Sequence, residues 1–126
     1  MKTVGHITRA IARAHAKHKR SGFAGPTPNW IVFVRRHFER FARSQGKTAK
    51  VSGPFGLCCR FTVEIGRQYR VFEIDNCRGW HFGRRTNEPD TTFKPGSIGA
   101  LNGMNFKYEE IPNTTPLAAL FKKGAR

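Results

Sequence analysis

Residues 57–74 read LCCRFTVEIGRQYRVFEI, and their period decides the fold. Leu57, Cys59, Phe61, Val63 and Ile65 alternate with Cys58, Arg60, Thr62 and Glu64. A period of two sends successive side chains to opposite faces, so this stretch predicts a strand with one face buried. Gly66-Arg67-Gln68 is a turn, and Tyr69–Ile74 is the expected antiparallel partner. Asp75-Asn76-Cys77-Arg78-Gly79 is a second turn rich in turn-forming residues. Trp80–Arg84 then predicts a short third strand. Asn105–Ile111 predicts a fourth, beyond the polar loop 86–97, TNEPDTTFKPGS. The antiparallel sheet region is expected within residues 50–111.

Upstream the period is longer. In residues 3–20, TVGHITRAIARAHAKHKR, the positions Val4, Ile7, Ile11, Ala14 and His18 recur at three- and four-residue steps and form an apolar helical stripe. At about 100° per residue, His6, Arg9, Arg13, Lys17 and Arg20 fall together on another face. Alanines fill the remainder and favour helix. Lys17, Lys19 and Arg20 suit the negative end of the helix dipole. Ser21-Gly22 ends the helix.

Residues 22–28, GFAGPTP, are a connector in which Thr27 is placed to cap a second helix, with Pro28 in its first turn. That helix is expected over residues 29–45, with Gly46 as its stop. Trp30–Val34, WIVFV, equally satisfies a short strand, but the period of RRHFERFAR after it selects helix. Trp30, Ile31, Val34, Phe38, Phe41 and Ala42 share a broad apolar face, and Arg36, Arg40 and Arg43 lie opposite. Arg35–Glu39 and Glu39–Arg43 are spaced as i,i+4 pairs. Residues 116–123 predict a short C-terminal helix. The sum is one α+β domain over residues 1–126: two N-terminal helices packed on a small antiparallel sheet of three to four strands, with the arginine stripes outward.

Charge points to the partner. The chain of 126 residues has 23 Lys plus Arg against 8 Asp plus Glu, a formal net charge of +15. Self-repulsion of this size opposes compactness, and a polyanion would relieve it while releasing counterions. The imbalance is local: residues 1–50 carry 12 basic side chains against Glu39 alone, and residues 51–126 carry 11 against 7 acids. A solvated helix face normally mixes both signs; the first helix has no acid at all.

These features predict a small basic, non-catalytic protein that binds nucleic acid, DNA or RNA, along the phosphate backbone. The expected contacts are Arg9, Arg13, Lys17 and Arg20 of the first helix, Arg36, Arg40 and Arg43 of the second, and Arg84 and Arg85 at the end of the third strand. Arg78-Gly79-Trp80-His81-Phe82-Gly83-Arg84-Arg85 interleaves cations with aromatics, as stacking on exposed bases requires. Alternation also puts Trp80 and Phe82 on one face of a core strand, so the arginines are the better contacts.

The alternative is a small inhibitor or accessory protein, of the kind carried by phages and mobile elements, that docks on a host protein or nucleoprotein complex through the same arginines. A third reading, a metal-independent nuclease, would draw on His15, His18, His37 or His81 with Glu64 or Glu73, but no spacing shows them converging. Cys58, Cys59, Cys77 and His81 do not have zinc-ligand spacing, because neighbouring cysteines on a strand point apart. No metal and no cofactor is expected. Three cysteines, two of them adjacent, do not make a disulfide framework and fit a reducing, cytoplasmic compartment. No stretch approaches the roughly 20 apolar residues that span a bilayer, and the N-terminus lacks the apolar core of a secretory signal.

Overall fold

The two helical periods and the alternating period that follows become two layers. The computed structural model describes residues 1–20, 30–55, 59–76, 79–90 and 106–121, with residues 18–20 described by backbone alone. Helix α1 spans Val4–Arg20 and helix α2 spans Trp30–Ser44. Five strands follow: β1 Ala49–Phe55, β2 Arg60–Ile65, β3 Gln68–Asp75, β4 His81–Pro89 and β5 Phe106–Ile111. They form one antiparallel sheet in chain order. The fold is α+β.

Register decides which side chains meet the helices. Val51 pairs with Val63, Phe61 with Phe72, Ile74 with Phe82, and Phe82 with Ile111, so these residues share the inner face. Val4, Ile7 and Ile11 of α1 and Val34, Phe38 and Ala42 of α2 close over them, all fully buried. Phe38 is the pin between layers: its ring stacks on Phe72 at 6.3 Å and Phe82 at 6.5 Å and meets Phe121 edge-on at 5.9 Å. Phe61 packs on Phe72 and Phe82 from within the sheet.

The helix ends are satisfied locally. At the start of α1 the Thr3 amide donates to His6 Nδ1 at 3.0 Å, a side chain reaching back to the cap position. The Val4 and Gly5 amides donate to the carbonyls of Thr115 and Asn113, and the Leu117 amide donates to the Lys2 carbonyl. The segment before the C-terminal turn therefore caps the first helix. At the end of α2 the Lys47 amide reaches the Ala42 carbonyl across Gly46, whose φ of 70° is the left-handed value that glycine tolerates.

Three expectations need correction. The sheet has five strands, because Ala49–Phe55 pairs with β2 along the edge. Its sequence AKVSGPF hides this: Val51 is its only buried residue, and an edge strand accommodates a proline that a central strand would not. The third expected strand, Trp80–Arg84, is the start of β4, His81–Pro89; polar Thr86–Glu88 extend it where neither face is covered. The expected helix over 116–123 is a 3-10 turn, Leu117–Phe121. Leu117 and Leu120 are both buried at the three-residue period of that turn, which stacks them on one side. The connector 22–28 with Thr27 and Pro28, the turn residues Cys77 and Arg78, most of the loop 86–97, and Cys58 lie outside the described residues. None of the described helices is long and apolar enough to cross a membrane.

Candidate nucleic-acid interface

Burying Val4, Ile7, Thr8 and Ile11 turns the other side of α1 to solvent, where Arg9, Arg13 and Lys17 are exposed. Successive members are four residues apart, about 6 Å along the axis. Burying Trp30, Val34, Phe38 and Ala42 does the same for Arg36, Arg40 and Arg43 of α2. The two rows meet. Lys2, before α1, and Arg40 line one depression of about 370 Å³ with Ser44 and Gln45. His37 lies under the same junction: burial pushes its pKa down, and the charges of Lys2, Arg40 and His6 push the same way, against a hydrogen bond to the Phe33 carbonyl. The helices thus run antiparallel, each with its cations turned away from the core. The side chain of Arg20 lies outside the described residues.

The carboxylates are elsewhere. All 8 belong to described residues, and only Glu39 sits on a helix. The ion pairs join Glu73 to Arg85 and Arg60, Asp75 to His81, Glu109 to Arg84, and Glu88 to Lys107. Among the described residues, none involves Arg9, Arg13, Lys17, Arg36, Arg40 or Arg43. The i,i+4 pairs expected of Glu39 with Arg35 and Arg43 do not form. In water an exposed pair gains too little to hold two long side chains in one geometry.

Arg84 and Arg85 are set apart from the helix cations. As neighbours on a strand they point to opposite faces, and each is seated in an ion pair. Arg84 meets Glu109 at 3.0 Å. Arg85 gives Glu73 two hydrogen bonds, at 2.7 and 2.9 Å, and a third to the Phe106 carbonyl. Glu73 is 3% exposed, so this bidentate pair is the buried polar centre of the outer sheet face. Phe82 is wholly buried, and Trp80 is half-buried with His15 edge-on at 5.3 Å.

Around the Glu73–Arg85 pair the outer face holds a second aromatic feature. Tyr108 folds its ring over Gly83 of the neighbouring strand, where a side chain at Gly83 would overlap it. The ring also lies under the Arg85 guanidinium at 5.3 Å and beside His81 at 6.0 Å. The Tyr108 hydroxyl is buried and makes no hydrogen bond, and burial, reinforced by Asp75, Glu73 and Glu110, raises its pKa above the usual phenol value. Gly83→Ala is expected to cost about 1–3 kcal/mol in urea unfolding, because the added methyl displaces a ring that is packed on three sides.

Among the described residues, the histidines and carboxylates of a nuclease reading do not gather into one cluster. His15 and His37 belong to the helix layer, Glu64 is exposed on the outer sheet face, and Glu73 is locked to Arg85. His81 faces Asp75 at 3.9 Å with its Nδ1 donating to the Gly79 carbonyl. The side chain of His18 lies outside the described residues. No protein-family model, curated protein or solved structure matches the chain.

Proposed function

We propose that the chain is a non-catalytic nucleic-acid-binding protein whose helix layer holds the phosphate backbone. The observation that carries this reading is the separation of charge: a surface of exposed arginines and lysines without ion pairs on α1 and α2, and the carboxylates, Glu39 apart, on the sheet half. Paired cations would have little to gain from an anionic ligand. Unpaired ones exchange condensed counterions for arginine hydrogen bonds that hold phosphate bidentately. Arg9, Arg13, Lys17, Arg36 and Arg40 are the contacts; Arg84 and Arg85 serve the fold.

The test is the salt dependence of binding to an oligonucleotide. Replacing Arg9, Arg13 and Lys17 together by Gln is expected to weaken binding on the order of 100-fold near physiological salt. The same change flattens the slope of log affinity against log salt by roughly 2–3 units, about 0.7–0.9 for each phosphate that is no longer neutralised. The weakening is uniform across sequences. Unchanged affinity in a triple variant with native circular dichroism would falsify the assignment.

A further inference from the structure

Among the described residues, no element covers the outer face of the sheet, away from the helices, and its composition is not that of an ordinary solvated face. Phe55, Tyr69, Val71 and Phe106 are 50%, 56%, 41% and 37% exposed, and all project from it. With Thr62, Arg60, Arg85 and Glu73 they line a concavity of about 540 Å³, within the usual size range of small-ligand sites. Its wall is mainly apolar and its floor is the buried carboxylate–guanidinium pair, with the Arg60 side chain 30% exposed at the side.

The charges of this face separate it from the helix surface. Lys50, Arg60 and Arg85 stand among Glu64, Glu73, Asp75 and Glu110, so the face has no excess of cations with which to attract phosphate. It offers planar apolar surfaces around a polar floor, the Glu73–Arg85 pair, with Arg60 beside it. A neutral, planar, heteroaromatic group with polar edges matches that combination. A second copy of the chain matches it poorly, since two facing hollows enclose a void and unfilled space forfeits dispersion attraction.

A cationic path joins the two surfaces. Arg43 lies in the last turn of α2, Lys47 follows with its side chain against the turn at Gly66, and Arg67 and Lys50 are exposed at the same end of the sheet. Lys50, Glu64 and Tyr69 are paired in one row across β1, β2 and β3. A backbone following these cations from α2 would reach the outer face at Lys50, in the row that leads across Glu64 to Tyr69.

We infer that the outer sheet face takes unpaired bases of a single-stranded nucleic acid, stacked on Tyr69, Phe106 and Phe55. This rests on the helix layer holding phosphate and names the strand state of the same ligand.

The experiment uses the full chain, a single-stranded oligonucleotide containing 2-aminopurine, and its duplex. The wild-type protein prefers the single strand, and its binding quenches the 2-aminopurine emission. Tyr69→Ala combined with Phe106→Ala abolishes the quench and weakens single-strand binding roughly 5- to 150-fold for each base left unstacked, with duplex affinity and salt slope unchanged. Both side chains are exposed, so the fold tolerates the change, and Tyr69→Phe keeps the quench. The Gln triple variant of α1 instead weakens both ligands and flattens the slope. Full quenching and affinity in the Tyr69/Phe106 variant overturn this inference and leave the helix reading standing; binding of neither ligand by wild-type protein overturns both. Conversion of a dimer to a monomer by the same variant, with oligonucleotide affinity intact, assigns the face to a second copy and also overturns it.

Discussion

Phe38→Ala is expected to cost about 4 kcal/mol, the middle of the range for truncating a fully buried aromatic ring. Phe38 is the α2 residue whose ring meets two strands and the C-terminal turn at once, through Phe72, Phe82 and Phe121. Removing it leaves a cavity that three rigid neighbours cannot collapse to fill. Domains of this kind are stable by only about 5–15 kcal/mol, so the loss is a large fraction of the total. Urea titration followed by circular dichroism checks it, with a fall in midpoint and little change in slope. Phe41→Ala is the control: Phe41 is half-buried and stacks on Phe121 from the rim, so its truncation costs clearly less. Equal costs for the two would contradict the central position given to Phe38.

Glu73→Leu carries the other large effect, about 3 kcal/mol or more, because breaking a buried ion pair strands the remaining charge. Arg85, 19% exposed at its side chain, would keep its bond to the Phe106 carbonyl and its place over Tyr108 but forfeit both hydrogen bonds to the carboxylate. Adding Arg85→Met is expected to recover most of the stability, since an apolar pair of similar volume removes the stranded charge. The double-mutant cycle separates the pair from its surroundings. Additive effects in the double variant would show that the carboxylate and guanidinium do not act as a unit.

The parts of this fold that were legible in the sequence are those where one side chain pattern meets one neighbour. α1 and α2 each bury one stripe, so Val4, Ile7 and Ile11, or Val34, Phe38 and Ala42, reveal the inward face from spacing alone. β2 does the same with Phe61, Val63 and Ile65. β1 was not legible, because an edge strand with one buried residue has no alternation to read. Nor was the outer groove. Phe55, Tyr69, Val71 and Phe106 come from three strands, and only the register sets them on one face. A trace of it stands in YRVFEI, where Tyr69 and Val71 are apolar at odd positions and Phe72 and Ile74 at even ones: a strand apolar on both sides, although no described element covers one of them. Arg84 and Arg85 looked alike as neighbours, yet their partners Glu109 and Glu73 lie on different strands on either side of β4, beyond any local pattern. The stripe of Arg9, Arg13 and Lys17 was readable as an outward face because helical spacing alone determines it.

The stitching of residues 2–5 to residues 113–117 has a consequence for biosynthesis. Helix α1 is capped by backbone that is made only after the whole sheet, so its apolar stripe has to wait for its final partners while the sheet is being translated. At 5–20 residues per second, the roughly 100 intervening residues take on the order of 5–20 s. Through that interval the nascent chain displays Val4, Ile7 and Ile11 without their final partners, and α1, held by short-range bonds only, is marginal by itself in water. Closure of α1 is accordingly a step that follows the synthesis of β5 and the 3-10 turn rather than one that proceeds outward from α1 itself.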